Sequence, residues 1–127
     1  TIQNQTSLRP TSDAAIEKSW TEFFTAFQRA VKQRDKAALK KMISSDWKVM
    51  TVEGIVKSTP DQVVNVMDEG EWKALEKSIA AGIAISKRLK TTRSTTDCHH
   101  DFDLEKDGKW RWSLACFEFA ECDCDKP

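Results

Sequence analysis

The feature that most constrains the fold is a stripe of large apolar side chains in the first third of the chain. The stripe recurs at three- and four-residue spacing within residues 13–33, and its members are Ile16, Trp20, Phe23, Phe24, Phe27, Ala30 and Val31. Charged residues such as Glu17 and Lys32 occupy the opposite positions. This pattern predicts a long amphipathic α-helix that buries its aromatic face against the rest of the molecule.

Length and charge limit the class of protein. A chain of 127 residues forms one domain. Twenty Lys and Arg side chains balance twenty Asp and Glu side chains, so no global field draws the protein to nucleic acid. No apolar run is long enough to span a bilayer, and we expect neither a nucleic-acid nor a membrane partner. We assign residues 1–11 to a flexible N-terminal segment, 12–121 to a single domain and 122–127 to a C-terminal tail.

Local signals divide the middle of the chain into short elements. Asp35 is suited to cap a second, short helix, which residues 44–46 end. Residues 47–52 and 55–57 predict two strands joined by a tight turn. Thr59 and Gln62 form a capping box at the start of a third helix, which Gly70 interrupts before the helical pattern resumes up to Gly82. A strand is expected after Gly82, followed by a basic cluster, Lys87, Arg88, Lys90 and Arg93, for which we favour a solvated surface.

The last third of the chain predicts a β-hairpin of definite register. The loop consists of Lys106, Asp107 and Gly108, because glycine suits the left-handed third position. The loop sets Glu105 against Lys109, and the pairs that follow outward are Leu104 with Trp110, Asp103 with Arg111, Phe102 with Trp112, His100 with Leu114 and Cys98 with Cys116. One face is therefore apolar and includes His100, while the other carries opposite charges.

Three stretches of the chain carry a family resemblance. They are FFTAFQRAVKQRDKAALKKMI, DWKVMTVEGIVKSTPDQVVNVM and DGKWRWSLACFE, all within residues 13–119. Together they resemble the nuclear transport factor 2-like superfamily, which includes SnoaL-like polyketide cyclases and ketosteroid isomerase. The resemblance implies an α+β fold in which a curved antiparallel sheet wraps around a long N-terminal helix as a cone and leaves an apolar pocket. The ketosteroid isomerase site uses a tyrosine, which this chain lacks, so no catalytic set transfers.

Aromatic residues on the helix and the hairpin are the candidate lining of that pocket. The ligand-binding candidates are Trp20, Phe24, Phe27, His100, Phe102 and Trp112, although the same spacing also suits a plain hydrophobic core. His100 is the ionisable residue placed on the apolar face. As an alternative to a hydrogen-bonded core histidine, it is a candidate general base, with Asp46 as a carboxylate at the pocket mouth.

The four cysteines bear on compartment and metal binding. Cys98 and Cys116 occupy paired positions, which favours a cross-strand disulfide in an oxidising compartment and leaves the pairing of Cys122 and Cys124 open. Cys98 and its two histidine neighbours point to alternating faces of a strand, so we expect no metal site. A polar start without Met fits a cleaved export signal and a secreted or periplasmic protein; a cytoplasmic protein is the alternative.

Three hypotheses for function follow from these observations. The first is non-catalytic binding of a small apolar ligand in the cone pocket, without a cofactor. The second is an isomerase or cyclase-like enzyme with His100 as general base. The third is an interaction module that forms a homodimer through the exposed face of its sheet.

Overall fold

The computed structural model describes residues 10–51, 54–65, 67–85, 91–96 and 100–116. These residues form an α+β domain, as predicted. Its elements in chain order are α1 (Asp13–Lys32), α2 (Lys36–Lys41), β1 (Ile43–Thr51), β2 (Gly54–Lys57), α3 (Pro60–Val64), α4 (Glu69–Ala81), β3 (Ile83–Ile85), β4 (Thr92–Thr95), β5 (Asp101–Leu104) and β6 (Trp110–Cys116). Within the described ranges, none of the helices has the length and apolar character that crossing a membrane requires.

The strands form one open sheet in the order β2-β1-β6-β5-β4-β3. Four of the neighbouring pairs are antiparallel, but β1 and β6 run parallel. The sheet is therefore mixed, which corrects the prediction of an antiparallel sheet. Alternation of apolar and polar residues identifies strands, but it does not reveal which distant strands become neighbours. The parallel pair joins the first and last strands of the described residues, so its ladder depends on contacts remote in sequence.

The two N-terminal helices each begin at a side-chain cap, and the cap at Asp35 is the predicted one. The Ser12 side chain accepts a hydrogen bond from the backbone N–H of Ala15 at the start of α1, and Asp35 accepts one from Ala38 at the start of α2. The prediction that residues 44–46 end the second helix is wrong. The helix ends at Lys41 and β1 begins at Ile43, because β6 pairs with this segment directly after the helix.

The chain between β2 and β3 forms two helices, and the break between them lies before Gly70, the residue where the sequence predicts it. The predicted capping box of Thr59 and Gln62 is present at the start of α3. A second capping box starts α4, since the Asp68 side chain accepts from the backbone of Glu71 and the Glu71 side chain accepts from the backbone of Asp68. Gly70 lies inside the first turn of α4 rather than at the break. The cap at Asp68 therefore determines where α4 begins.

The closing hairpin has the predicted loop and most of the predicted register. Gly108 has a φ of 85°, the left-handed conformation that the three-residue loop requires. The pairs of Leu104, Asp103 and Phe102 with β6 are confirmed, but the register then shifts by one residue. Asp101, not His100, pairs with Leu114. The predicted pairing of His100 with Leu114 is wrong because the irregularity adds a residue on β6, which periodicity alone does not signal.

The core lies between α1 and one face of the sheet. Phe27 and Trp112, both fully buried, meet with their ring centroids 5.4 Å apart. Trp20 contacts Phe102 and Trp110 at centroid distances of 5.5 and 5.0 Å. All three ring pairs meet edge to face, which is a favoured arrangement for aromatic side chains. The aromatic stripe is therefore the surface that joins α1 to β5 and β6.

Candidate functional site

The six residues predicted to bind a ligand do come together in the structure. Phe27, Phe102 and Trp112 have no exposed surface, and His100 is almost completely buried. Trp20 stacks on Phe24 with a centroid distance of 4.8 Å. These side chains fill the space between α1 and the sheet by contacting one another. Their role as ligand contacts stays a prediction, because their observed packing serves a core equally well.

His100 and Asp46, the candidate catalytic pair, occupy different surroundings. The ring of His100 packs against Trp112 at a centroid distance of 5.6 Å, and its backbone N–H donates to the hydroxyl of Thr95. Asp46 is exposed and forms ion pairs with Lys48 and Lys57 at 3.0 and 3.2 Å. Hydrogen bonds from Lys48 first, then Lys57, hold the pKa of Asp46 below its usual value. Asp46 is thus engaged by lysines as a carboxylate, and its described contacts do not support a role beside His100.

Arg93 is a buried cation, although the sequence predicts a solvated position for it. Its side chain is 5% exposed, and Nη2 lies 3.0 Å from Oε1 of Glu17. The guanidinium also faces the rings of Trp20 and Trp110, at 5.3 and 5.5 Å from their centroids. These are cation–π contacts, which strengthen when the cation is removed from water. The expectation of a surface position for Arg93 is therefore wrong, because β4 turns this residue toward α1. Lys87, Arg88 and Lys90, the other members of the predicted basic cluster, lie outside the described residues.

A cavity of about 420 Å³ opens where α1, the end of α2 and the β5–β6 loop meet. We call it the hairpin cavity. Its lining residues are Ser19, Glu22, Phe23, Lys41, Met42, Gly108, Lys109, Trp110 and Arg111. Phe23 and Met42 are partly buried and pack against the core, so the cavity borders the core. Its volume lies in the range typical of small-molecule sites.

Two hydrogen bonds between residues distant in sequence fix the shape of the hairpin cavity. The indole N–H of Trp110 donates to the hydroxyl of Ser19 over 2.9 Å, which ties the first residue of β6 to the middle of α1. The backbone N–H of Trp112 donates to the carbonyl of Met42 over 2.7 Å and holds the α2–β1 junction beside the hairpin. The sequence predicts apolar faces for Trp110 and Phe23 but no cavity between them, because the path of the α2–β1 junction depends on this non-local contact.

One cation in the lining of the hairpin cavity, Arg111, is already paired with a carboxylate. Arg111 forms an ion pair with Asp107 at 2.9 Å. The Asp107 carboxylate also accepts a hydrogen bond from the backbone N–H of Lys109. This backbone hydrogen bond, followed by the charge of Arg111, lowers the pKa of Asp107. The charge of Arg111 is thereby balanced within the loop.

The lowered pKa of Asp107 predicts an acid-sensitive loop. A carboxylate whose pKa is lower in the folded state stabilises the fold above its unfolded pKa of about 3.9, and this stabilisation is lost as pH falls through the folded value. We expect the melting temperature to fall from about pH 5 downward, and Asp107→Asn to make that dependence shallower. Circular dichroism melts across this range measure both effects. Glu22→Gln removes an exposed carboxylate that has no ion-pair partner among the described residues, so it should retain the wild-type slope. Equal slopes for wild type and Asp107→Asn would contradict the assignment.

The face of the sheet opposite α1 is a surface of paired hydroxyls and carboxylates. Asp103 accepts hydrogen bonds of 2.6 Å from both Thr92 and Ser113, and Ser94 donates to Asp101. Asp103 stands opposite Arg111 as predicted, but these hydroxyls, rather than Arg111, satisfy its carboxylate. A depression of about 370 Å³ crosses this face. The predicted homodimer through the sheet would have to cover these polar groups, and it stays a prediction.

Metal binding and disulfide formation concern residues that are only partly described. Among the described side chains, no three acidic, histidine or cysteine residues form a group able to hold a metal ion. Cys116 is buried and is not a free thiol. Cys98, Cys122 and Cys124 lie outside the described residues. The pairing of Cys98 with Cys116 therefore stays a prediction, although the register shift in the hairpin removes the argument that placed them opposite each other.

No protein-family model, curated protein or solved structure matches this chain.

Proposed function

We propose that this domain binds a small, partly apolar molecule in the hairpin cavity. The observation that carries the proposal is a cavity of about 420 Å³ with partly buried apolar side chains and charged residues in its lining. Ligand sites in proteins commonly combine an apolar lining with a few polar groups that orient the ligand. The proposal keeps the predicted class of function, non-catalytic ligand binding, and moves the site from the aromatic core between α1 and the sheet to the hairpin cavity beside it.

We further propose that the fold is the cone of the nuclear transport factor 2-like superfamily. The support is the chain order: a long helix and a short one, a strand pair, two more helices, and a meander of four strands. The last strand of the meander lies beside the first strand of the pair. In the resembled family the space between long helix and sheet holds the ligand, and the hairpin cavity opens at the edge of that space.

Binding of the neutral fluorophore N-phenylnaphthylamine tests the proposal. Its aromatic rings suit the apolar lining, and its fluorescence rises when it leaves water. We expect saturable binding to the wild-type protein. Phe23→Ala should weaken it about fivefold to tenfold, because this change removes apolar contact area worth about 1 kcal/mol.

Phe24→Ala is the matched control for this experiment. Phe24 is the next residue on α1 and is also partly buried against the core, but it is not among the side chains that line the hairpin cavity. Both variants lose a phenyl ring from the same helix, so a general loosening of the core affects them alike. A stronger loss of binding in Phe24→Ala than in Phe23→Ala would place the ligand in the originally predicted pocket. No saturable binding to any form would contradict the proposed function.

A further inference from the structure

The charged residues of the hairpin cavity distinguish between kinds of ligand. Lys41 and Lys109, which carry ammonium groups, and Glu22, which carries a carboxylate, are among its lining residues. All three residues are exposed, and within the described part of the chain none of them has an ion-pair partner. Arg111, the remaining cation, is balanced by Asp107 at 2.9 Å. The groups that are free to act on a ligand therefore carry an excess of positive charge.

The same cavity also has apolar lining residues, Phe23, Met42 and Trp110. Phe23 and Met42 are partly buried, and Trp110 is 3% exposed with its indole N–H already bonded to Ser19. Lys41 directly precedes Met42, and Lys109 directly precedes Trp110. Each lysine thus lies next in sequence to an apolar lining residue, at two separate places on the wall. An acidic group attached to a molecule that covers the apolar lining therefore lies in the same cavity as both lysines.

We propose that the ligand of the hairpin cavity is an aromatic or aliphatic organic anion, whose acidic group is held by Lys41 and Lys109. This inference depends on the proposed function and adds the chemical class of the ligand. Neutral apolar compounds gain only the contact with Phe23, Met42 and Trp110, whereas an anion also gains the attraction of the two ammonium groups. A cationic compound is attracted only by Glu22 and is repelled by both lysines.

Two probes with the same aromatic rings separate the contribution of apolar contact from that of charge. Anilinonaphthalene sulfonate carries the rings of N-phenylnaphthylamine plus one sulfonate group. We expect the sulfonate to bind the wild-type protein more tightly than the neutral compound. Lys41→Gln and Lys109→Gln should each weaken sulfonate binding about twofold to fivefold, which is the range of a single exposed ion pair. Neither change should affect the neutral compound by more than the measurement error.

Two further substitutions are controls: one removes the carboxylate of the cavity, and the other removes a lysine outside it. Glu22→Gln removes the opposing carboxylate and should tighten sulfonate binding about twofold. Lys18→Gln changes an exposed lysine of the same helix that is not among the lining residues, and it should leave both affinities unchanged. Raising the salt concentration should weaken binding of the sulfonate while sparing the neutral probe, because salt screens exposed charges.

The outcomes distinguish this inference from the proposed function. If both probes bind equally and the lysine variants leave their affinity ratio unchanged, the anion inference is overturned while the cavity still binds ligands. If Lys18→Gln weakens sulfonate binding as much as Lys41→Gln, general surface charge explains the effect and the inference is again overturned. If neither probe binds, the proposed function fails and the inference fails with it.

Discussion

Phe27→Ala is expected to lower the free energy of unfolding by about 3–5 kcal/mol, the range for truncating a buried aromatic side chain. Phe27 has no exposed surface, and its ring contacts Phe102 and Trp112 at centroid distances of 5.1 and 5.4 Å. The side chain therefore joins α1 to both strands of the closing hairpin. Because domains of this size are stable by only about 5–15 kcal/mol, the variant should lose a large fraction of its stability.

Urea denaturation followed by tryptophan fluorescence measures this loss. Phe27→Leu keeps much of the volume and should cost less than half as much. Phe24→Ala removes a partly buried ring from the same helix and should cost less than Phe27→Ala. Equal destabilisation by Phe24→Ala and Phe27→Ala would contradict the packing described for α1, since it would mean that the two rings are equally buried.

Arg93→Ala has the second largest expected effect, a loss of about 2–4 kcal/mol in the free energy of unfolding. The change removes a buried guanidinium that faces Trp20 and Trp110, together with the packing of its methylene groups. The ion pair with Glu17 contributes less, because the Glu17 side chain is 56% exposed and water screens its charge. We therefore attribute most of the effect to the contacts with the two indole rings.

Two further variants separate these contributions in the same denaturation experiment. Arg93→Met keeps an apolar chain of similar length and should recover part of the stability that Arg93→Ala loses. Glu17→Gln should cost about 1 kcal/mol or less. If Glu17→Gln is as destabilising as Arg93→Ala, the ion pair rather than the aromatic contact holds Arg93, and our interpretation of this site is wrong.

Local signals in the sequence predict several elements of this fold correctly. Asp35 and Thr59 begin their helices because a side-chain cap acts on amides only two or three residues away. Gly108 determines the first three pairs of the hairpin for a similar reason, since a loop of known length fixes the residues next to it. These interactions are complete within a few residues, so the sequence alone contains the necessary information.

The features that sequence analysis missed depend on distant partners. β1 begins at Ile43 because β6 pairs with it, and Arg93 is buried because α1 supplies Glu17 and Trp20. The candidate site has the same character. Phe23 and Trp110 are recognisable as apolar residues, but the space between them exists because Met42 is held against the hairpin. Local periodicity does not report such contacts.

The indole N–H signals of the five tryptophans test the central claim, that the hairpin cavity is the ligand site. In a ¹H–¹⁵N spectrum, with Trp110→Phe used for assignment, N-phenylnaphthylamine should shift the Trp110 signal most, because this residue lines the cavity. Trp72 on α4, beside Arg34, should not shift. An unchanged Trp110 signal at saturating probe, or a larger shift at Trp112 than at Trp110, would contradict the account.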